Sequence, residues 1–190
     1  MNVNMLILAS GSPRRAKILS AQGVEYRVVK SNAAEVAYPG DPERTVRENA
    51  LAKASGMERP VLAADTIVWC EGKIYGKPKD LAEAKEFLRE LSGRTHQVYT
   101  GVAYNDETAV ETSNVTFKRL SEKEIDDYVE LVKPVDRAGA YDIDDYGPLV
   151  IDRFDGEYEN IMGLPLAPLR RWGVIGHDDA DIRRPDSLAE

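Results

Sequence analysis

A single cysteine, Cys70, stands in the chain, so no internal disulfide is available and a reducing compartment is expected. Histidine is almost as scarce. His96 and His177 with that one thiol are too few soft ligands for a zinc site, so any metal is expected to be hard and oxygen-ligated, magnesium or manganese. No apolar run approaches the roughly 18 residues of a membrane helix, and residues 5–9 are too short and lack the basic leader of an export signal. A cytoplasmic protein with no membrane partner is the expectation. Basic residues are outnumbered, 25 Lys and Arg against 33 Asp and Glu, and the net charge of -8 argues against a nucleic-acid partner, as does the lack of an extended basic, aromatic surface. Linkers rich in Pro, Gly or Ser are missing, so 190 residues with 43% hydrophobic content read as one unit, 1–175, followed by a polar tail, 176–190. Neither G-x-x-x-x-G-K-[ST] nor G-x-G-x-x-G occurs, so a phosphate site here would rest on side chains more than on a glycine nest.

What is present begins with that apolar run at 5–9, of buried-strand length, followed by Ser10-Gly11-Ser12-Pro13-Arg14-Arg15. Ser12 and Pro13 suit the N-cap and first position of a helix, because proline there loses no useful N–H and brings a helical φ. The helix N-terminus, the hydroxyls of Ser10 and Ser12 and the guanidinium forks of Arg14 and Arg15 together outline a phosphate cradle. A capped helix with two solvated arginines is the plainer alternative.

Further along, residues 60–70 read as a long strand buried on both faces, and Asp65 interrupts it. A carboxylate there needs a cation, a metal or a raised pKa, with a structural salt bridge as the bland option. Asp41-Pro42 opens a helix with the stripe Val46, Ala50, Leu51 and Ala54, and Lys53 lies off that stripe, inward or solvated. Glu35 falls in the preceding loop, while Lys77 and Lys79 share a stiffened loop that is otherwise read as wet surface. Capping boxes at Asp80/Glu83 and Ser121/Glu124 start two more helices, residues 149–162 read as a late hairpin, and the stretch around Ala138 to Gly147 is rich in glycine and carboxylate. Strands and helices are interleaved, which predicts α/β with a mixed sheet. Hydrolysing a phosphoanhydride needs cations for the polyphosphate, carboxylates for a metal and a carboxylate to activate water, and each need has a candidate here.

Six blocks carry a resemblance: Leu8 to Arg15, Ala64-Asp65-Thr66-Ile67-Val68, Gly76-Lys77-Pro78, Leu91 to Val98, Ala138-Gly139-Ala140-Tyr141 and Gly163-Leu164-Pro165-Leu166. In this order, and spanning the chain to about Trp172, they resemble the Maf family. The resemblance implies a cytoplasmic, metal-dependent nucleoside triphosphate pyrophosphatase, often a homodimer, that cuts between the α and β phosphates. It implies a fold similar to that of inosine triphosphatases, an elongated mixed sheet flanked by helices with two lobes around a cleft. The family's general base matches Asp65, its metal-associated glutamate Glu35, and its phosphate-binding serine, arginine and lysine Ser10, Arg14 and Lys77; Lys53 falls where the family keeps a lysine. Glu35 and Asp65 are thus the expected metal ligands. Substrate choice is linked to Arg15, Thr66 and Asp144. The first two resemble the branch that takes dTTP and UTP, which carries glutamine where this chain has Asp144. An ionised aspartate only accepts, favouring a base with an amino or ring N–H donor, so cytosine-like or modified bases or a water-mediated contact to uracil stay open, and Asp145 is the alternative for that position after a local shift. The family's association with septum formation gives the alternative, a non-catalytic nucleotide-binding regulator of cell division. Such a regulator needs the cradle but not Asp65 together with Lys77.

Overall fold

The buried triplet Leu6-Ile7-Leu8 forms β1 (Leu6–Leu8), a short strand with a neighbour on each side. In this computed structural model, which describes residues 5–144 and 146–176, β1 runs parallel to β2 (Tyr26–Val28) and to the start of β3 (Val61–Cys70). The predicted tail beyond Gly176, and Asp145, lie outside the described residues. Helix α1 (Pro13–Ala21) carries the chain from β1 to β2, and α2 (Pro42–Ala54) from β2 to β3. Antiparallel strands complete the sheet: β4 (Lys73–Tyr75) on the end of β3, then β5 (Thr95–Tyr104) along β3, and β6 (Glu107–Phe117) along β5. Helix α3 (Leu81–Leu91) precedes β5, and α4 (Glu122–Val132) follows β6. After a 3₁₀ turn at Ala138–Ala140 come α5 (Gly147–Val150), β7 (Ile151–Asp155), α6 (Tyr158–Met162) and α7 (Leu166–Arg171). The strand order is β2-β1-β3-β5-β6-β7, with β4 also on β3. This is the mixed α/β sheet that the interleaved pattern predicts.

One consequence of the register places the site. Since β5 takes one edge of β3 from Leu62 to Trp69, the opposite edge is left to β1 at Val61–Leu62 and to β4 at Val68–Cys70. Among the described residues, no strand covers that edge from Ala63 to Ile67. Side chains alternate across a strand, so Asp65 faces the α2 side while Thr66 faces the other. On the α2 side a small-residue core forms from Ile7, Ala9, Val61, Ala63, Ala103, Ala50 and Ala54. The larger core, with Leu8, Leu62, Phe87, Leu88, Phe117, Ile125 and Leu169, fills the opposite face. Each large apolar side chain buried there contributes about 1.5–3 kcal/mol. Gly101, opposite Asp65 on β5, lets α2 lie on the sheet at backbone range: a Cβ there would stand 2.3 Å from the Val46 carbonyl oxygen.

Several local expectations change. The inward stripe of α2 is Thr45, Val46, Asn49, Ala50 and Ala54, and Leu51 is exposed, as is Leu81 at the start of α3. The capping box of α4 is complete, whereas in α3 the Glu83 carboxylate turns to the Lys79 N–H instead of Asp80. The expected hairpin at 149–162 is only half a hairpin: β7 pairs with β6, but residues 158–162 are helical. Gly163, at φ +107, closes that turn by donating its N–H to the carbonyls of Glu159 and Asn160, and Asn160 meets Val98 and Ser113 with its side chain.

Candidate active site

A cavity of about 700 Å³ opens at the uncovered stretch of β3. Its lining includes Ser10, Arg14, Arg15, Glu35, Lys53, Asp65, Thr66 and Lys77, so groups far apart in sequence meet around one hollow. That volume lies in the range of small-molecule sites.

The acidic wall stands on the α2 face. Asp65 is 6% exposed; its Oδ1 lies 2.6 Å from Lys53 Nζ and its Oδ2 accepts from Asn49 Nδ2 at 2.9 Å. Lys53 reaches a second carboxylate, Glu35 Oε1, at 2.8 Å, so one ammonium bridges a buried strand residue and an exposed loop residue. The loop is held by Asn49, whose Oδ1 accepts the Val36 N–H at 2.8 Å and whose Nδ2 donates to the Val36 carbonyl at 3.0 Å. Thus Lys53 turns inward, and Asp65 has a structural salt bridge as well as a place on the cavity wall.

The cationic wall begins at the β1–α1 turn. Ser12 is the N-cap by backbone conformation, but its hydroxyl makes no capping bond; its N–H donates to Ser10 Oγ at 3.1 Å. The two arginines part ways. Arg15 points into the protein, donating to Gly163 O at 2.7 Å, Thr66 Oγ1 at 3.0 Å and Ser10 Oγ at 3.2 Å, and Thr66 continues the chain to Thr100 Oγ1 at 3.0 Å. Burial lowers the Arg15 pKa, with Asp65 opposing that shift. Arg14 stays at the mouth, 3.6 Å from the Asp136 carboxylate, and burial lowers its pKa too. Lys77 lines the cavity and is exposed, whereas Lys79 is not among the lining residues. The Gly139 N–H donates to the Gly76 carbonyl at 3.1 Å, tying the Ala138–Ala140 turn to the loop that carries Lys77.

Asp144 is not among the lining residues, although Asp142 and Ile143 just before it are. Its carboxylate is taken by Lys17 and by the Tyr158 hydroxyl at 3.1 Å, and its N–H donates to Asp142 Oδ1 at 2.8 Å. Among the lining residues that the sequence does not single out are Asn49 and Arg137. Asn49 carried a signal, a polar residue between Val46 and Ala50 on the buried stripe of α2. Arg137, held by Asp142 at 2.7 Å and by Asp136 at 3.0 Å, carried none.

For a metal, the donors on the acidic wall are the carboxylates of Glu35 and Asp65, since Asp136 and Asp142, which also line the cavity, are paired with Arg14 and Arg137, and no group of three or more His, Cys, Asp or Glu suited to a metal occurs among the described residues. Such a pair fits a hard ion that draws its remaining ligands from water and phosphate oxygens, and does not form an all-protein cage.

The family described as Maf-like protein matches residues 5–172. A dTTP/UTP pyrophosphatase of Bacillus cereus is 44% identical over 181 residues, covering 90% of this chain and 89% of its own. One of Bacillus cytotoxicus is 46% identical over 176 residues, and one of Bacillus anthracis 45% over 177, each covering 87% of this chain and 92% of its own.

Proposed function

The chain belongs to the Maf-like protein family, and from that premise we propose that it hydrolyses dTTP or UTP to the nucleoside monophosphate and pyrophosphate. The observation that carries the proposal is the meeting of Asp65, Glu35 and Lys53 with Ser10, Arg14 and Lys77 around one cavity of about 700 Å³. A protein that only held nucleotide would need the cations but no carboxylate aimed at the same space.

Arg14 and Lys77 hold the polyphosphate, and Ser10 adds a hydroxyl donor at the helix start. Asp65 accepts a proton from the attacking water, the new O–P bond forms at the α phosphorus, and the α–β bridging oxygen leaves with pyrophosphate. Lys53 keeps Asp65 and Glu35 from repelling one another before substrate arrives. A divalent ion held by Glu35 and Asp65, Mg²⁺ or Mn²⁺, would neutralise phosphate charge. Arg15 and Thr66 order the floor of the cavity, and Asp144 acts on base choice through its bond to Asp142 on the lining. The expected homodimer and cytoplasmic setting rest on the family resemblance; sedimentation velocity checks the first.

Pyrophosphate release from dTTP and UTP is expected with Mg²⁺ or Mn²⁺ and is expected to stop with a chelator. Asp65→Asn should lower kcat by about 10²- to 10⁴-fold with the fold intact, the range for a lost general base. Wild-type turnover in Asp65→Asn would overturn the assignment.

A further inference from the structure

We propose that Asn49 is a positioning residue for the reaction proposed above, setting Asp65 and the Glu35 segment against each other through one carboxamide. The inference rests on that reading of function. Asn49 is 3% exposed and uses its whole amide: one N–H to Asp65 Oδ2 at 2.9 Å, the other to the Val36 carbonyl at 3.0 Å, and Oδ1 to the Val36 N–H at 2.8 Å. The two acceptors and one donor around it fix which end of the amide points where. Val36 follows Glu35 directly, so the residue that orients the strand carboxylate also fixes the loop that brings the second one.

Lys53 alone does not accomplish this. An ammonium on a flexible stem is a point charge that attracts both carboxylates without choosing an orientation for either. The planar amide chooses. It occupies Oδ2 of Asp65 from the α2 side, and Lys53 occupies Oδ1, so the carboxylate plane is set by two partners one helical turn apart. A general base misplaced by about 1 Å loses on the order of 10²-fold in rate, so a rigid hold here acts on turnover more than on affinity.

Thr45, one turn earlier on α2, supplies a control within the molecule. Its hydroxyl ties the same loop, accepting the Tyr38 N–H at 2.8 Å, but has no bond to Asp65. Asn49→Leu keeps the branched skeleton and removes all three bonds. It is expected to lower kcat at least 10-fold for dTTP or UTP with KM within about threefold, while Thr45→Val lowers kcat less than threefold. Asn49→Ala, which leaves room for water, is the second variant should the leucine fail to fold, and the same split is expected. Thermal unfolding of each variant is read alongside. Equal losses in Asn49→Leu and Thr45→Val would overturn the proposal in favour of a loop tether, and so would a wild-type kcat in both Asn49 variants. A fall in kcat matched by a rise in KM and a collapsed unfolding midpoint in both Asn49 variants would also overturn it, as a structural role. If wild-type protein released no pyrophosphate from either nucleotide, the function itself would fall; wild-type turnover with an unaffected Asn49→Leu would fell this inference alone.

Discussion

His96 shows how much one buried ring weighs. It is 1% exposed, edge-on to Phe117 and Tyr141, with Nε2 3.0 Å from the Tyr141 hydroxyl and Nδ1 without a partner. Burial pushes its pKa from 6.5 down to about 3. The folded value lies below the unfolded one, so the stabilisation is whole above pH 6.5 and is lost as pH falls toward 3. At about 1.4 kcal/mol per unit, acidification from pH 6.5 to 4 removes about 3 kcal/mol from this group. Urea titrations across that window should show the loss, and His96→Phe should flatten it; parallel curves for the two proteins would refute the assignment. Single residues differed in legibility. Asp65 announced itself because a charge broke an apolar run. Asn49 announced itself more faintly: a polar residue on an apolar stripe marks a buried amide without naming what it bonds, and its partners at Val36 and Asp65 reveal its work. Arg14 and Arg15 read alike until the contacts of Arg15 with Gly163 and Thr66 separate them.

At the scale of elements, the seat of α2 on β5 decides whether the acidic wall exists. Gly101→Ala would press a methyl to 2.3 Å from the Val46 carbonyl oxygen and 2.9 Å from the Arg47 nitrogen, backbone atoms that cannot rotate away. The helix must lift, at a cost of about 3 kcal/mol by analogy with overpacked cores. Asn49 and Lys53 ride on that helix, so turnover is expected to fall on the order of 10²-fold as well. Urea unfolding and steady-state kinetics on the same preparation check both, and a stable, fully active variant would count against the close seat. A glycine inside a strand was the visible hint of this contact, but it does not say which backbone approaches. Helices with caps and stripes, α3 and α4, could be read directly because their cause is local. Helix α6 could not: five residues carry too little period to tell strand from helix, and what decides is the bonding of Asn160 across two strands.

For the whole molecule, the cations of the cavity are a local concentration in a chain of net charge -8. Contacts within the cavity, not the long-range field, must therefore hold a triphosphate. A non-hydrolysable UTP analogue at 100 times its Kd should stabilise the fold by about 2.7 kcal/mol, raising the unfolding midpoint by roughly 5–10 °C. Calorimetry reads this, and an unmoved midpoint would mean that the analogue does not bind the folded chain. The mixed sheet was legible because strands alternate with helices. The bare stretch of β3 was not, since it follows from where β1 stops and β4 begins. That interruption also limits how the enzyme can move. β3 is paired with β5 from Leu62 to Trp69, one unbroken beam beneath the cavity. Any tightening around a guest is then expected of the segments that carry Glu35 and Lys77 on the cavity's edge, while the beam beneath them stays put.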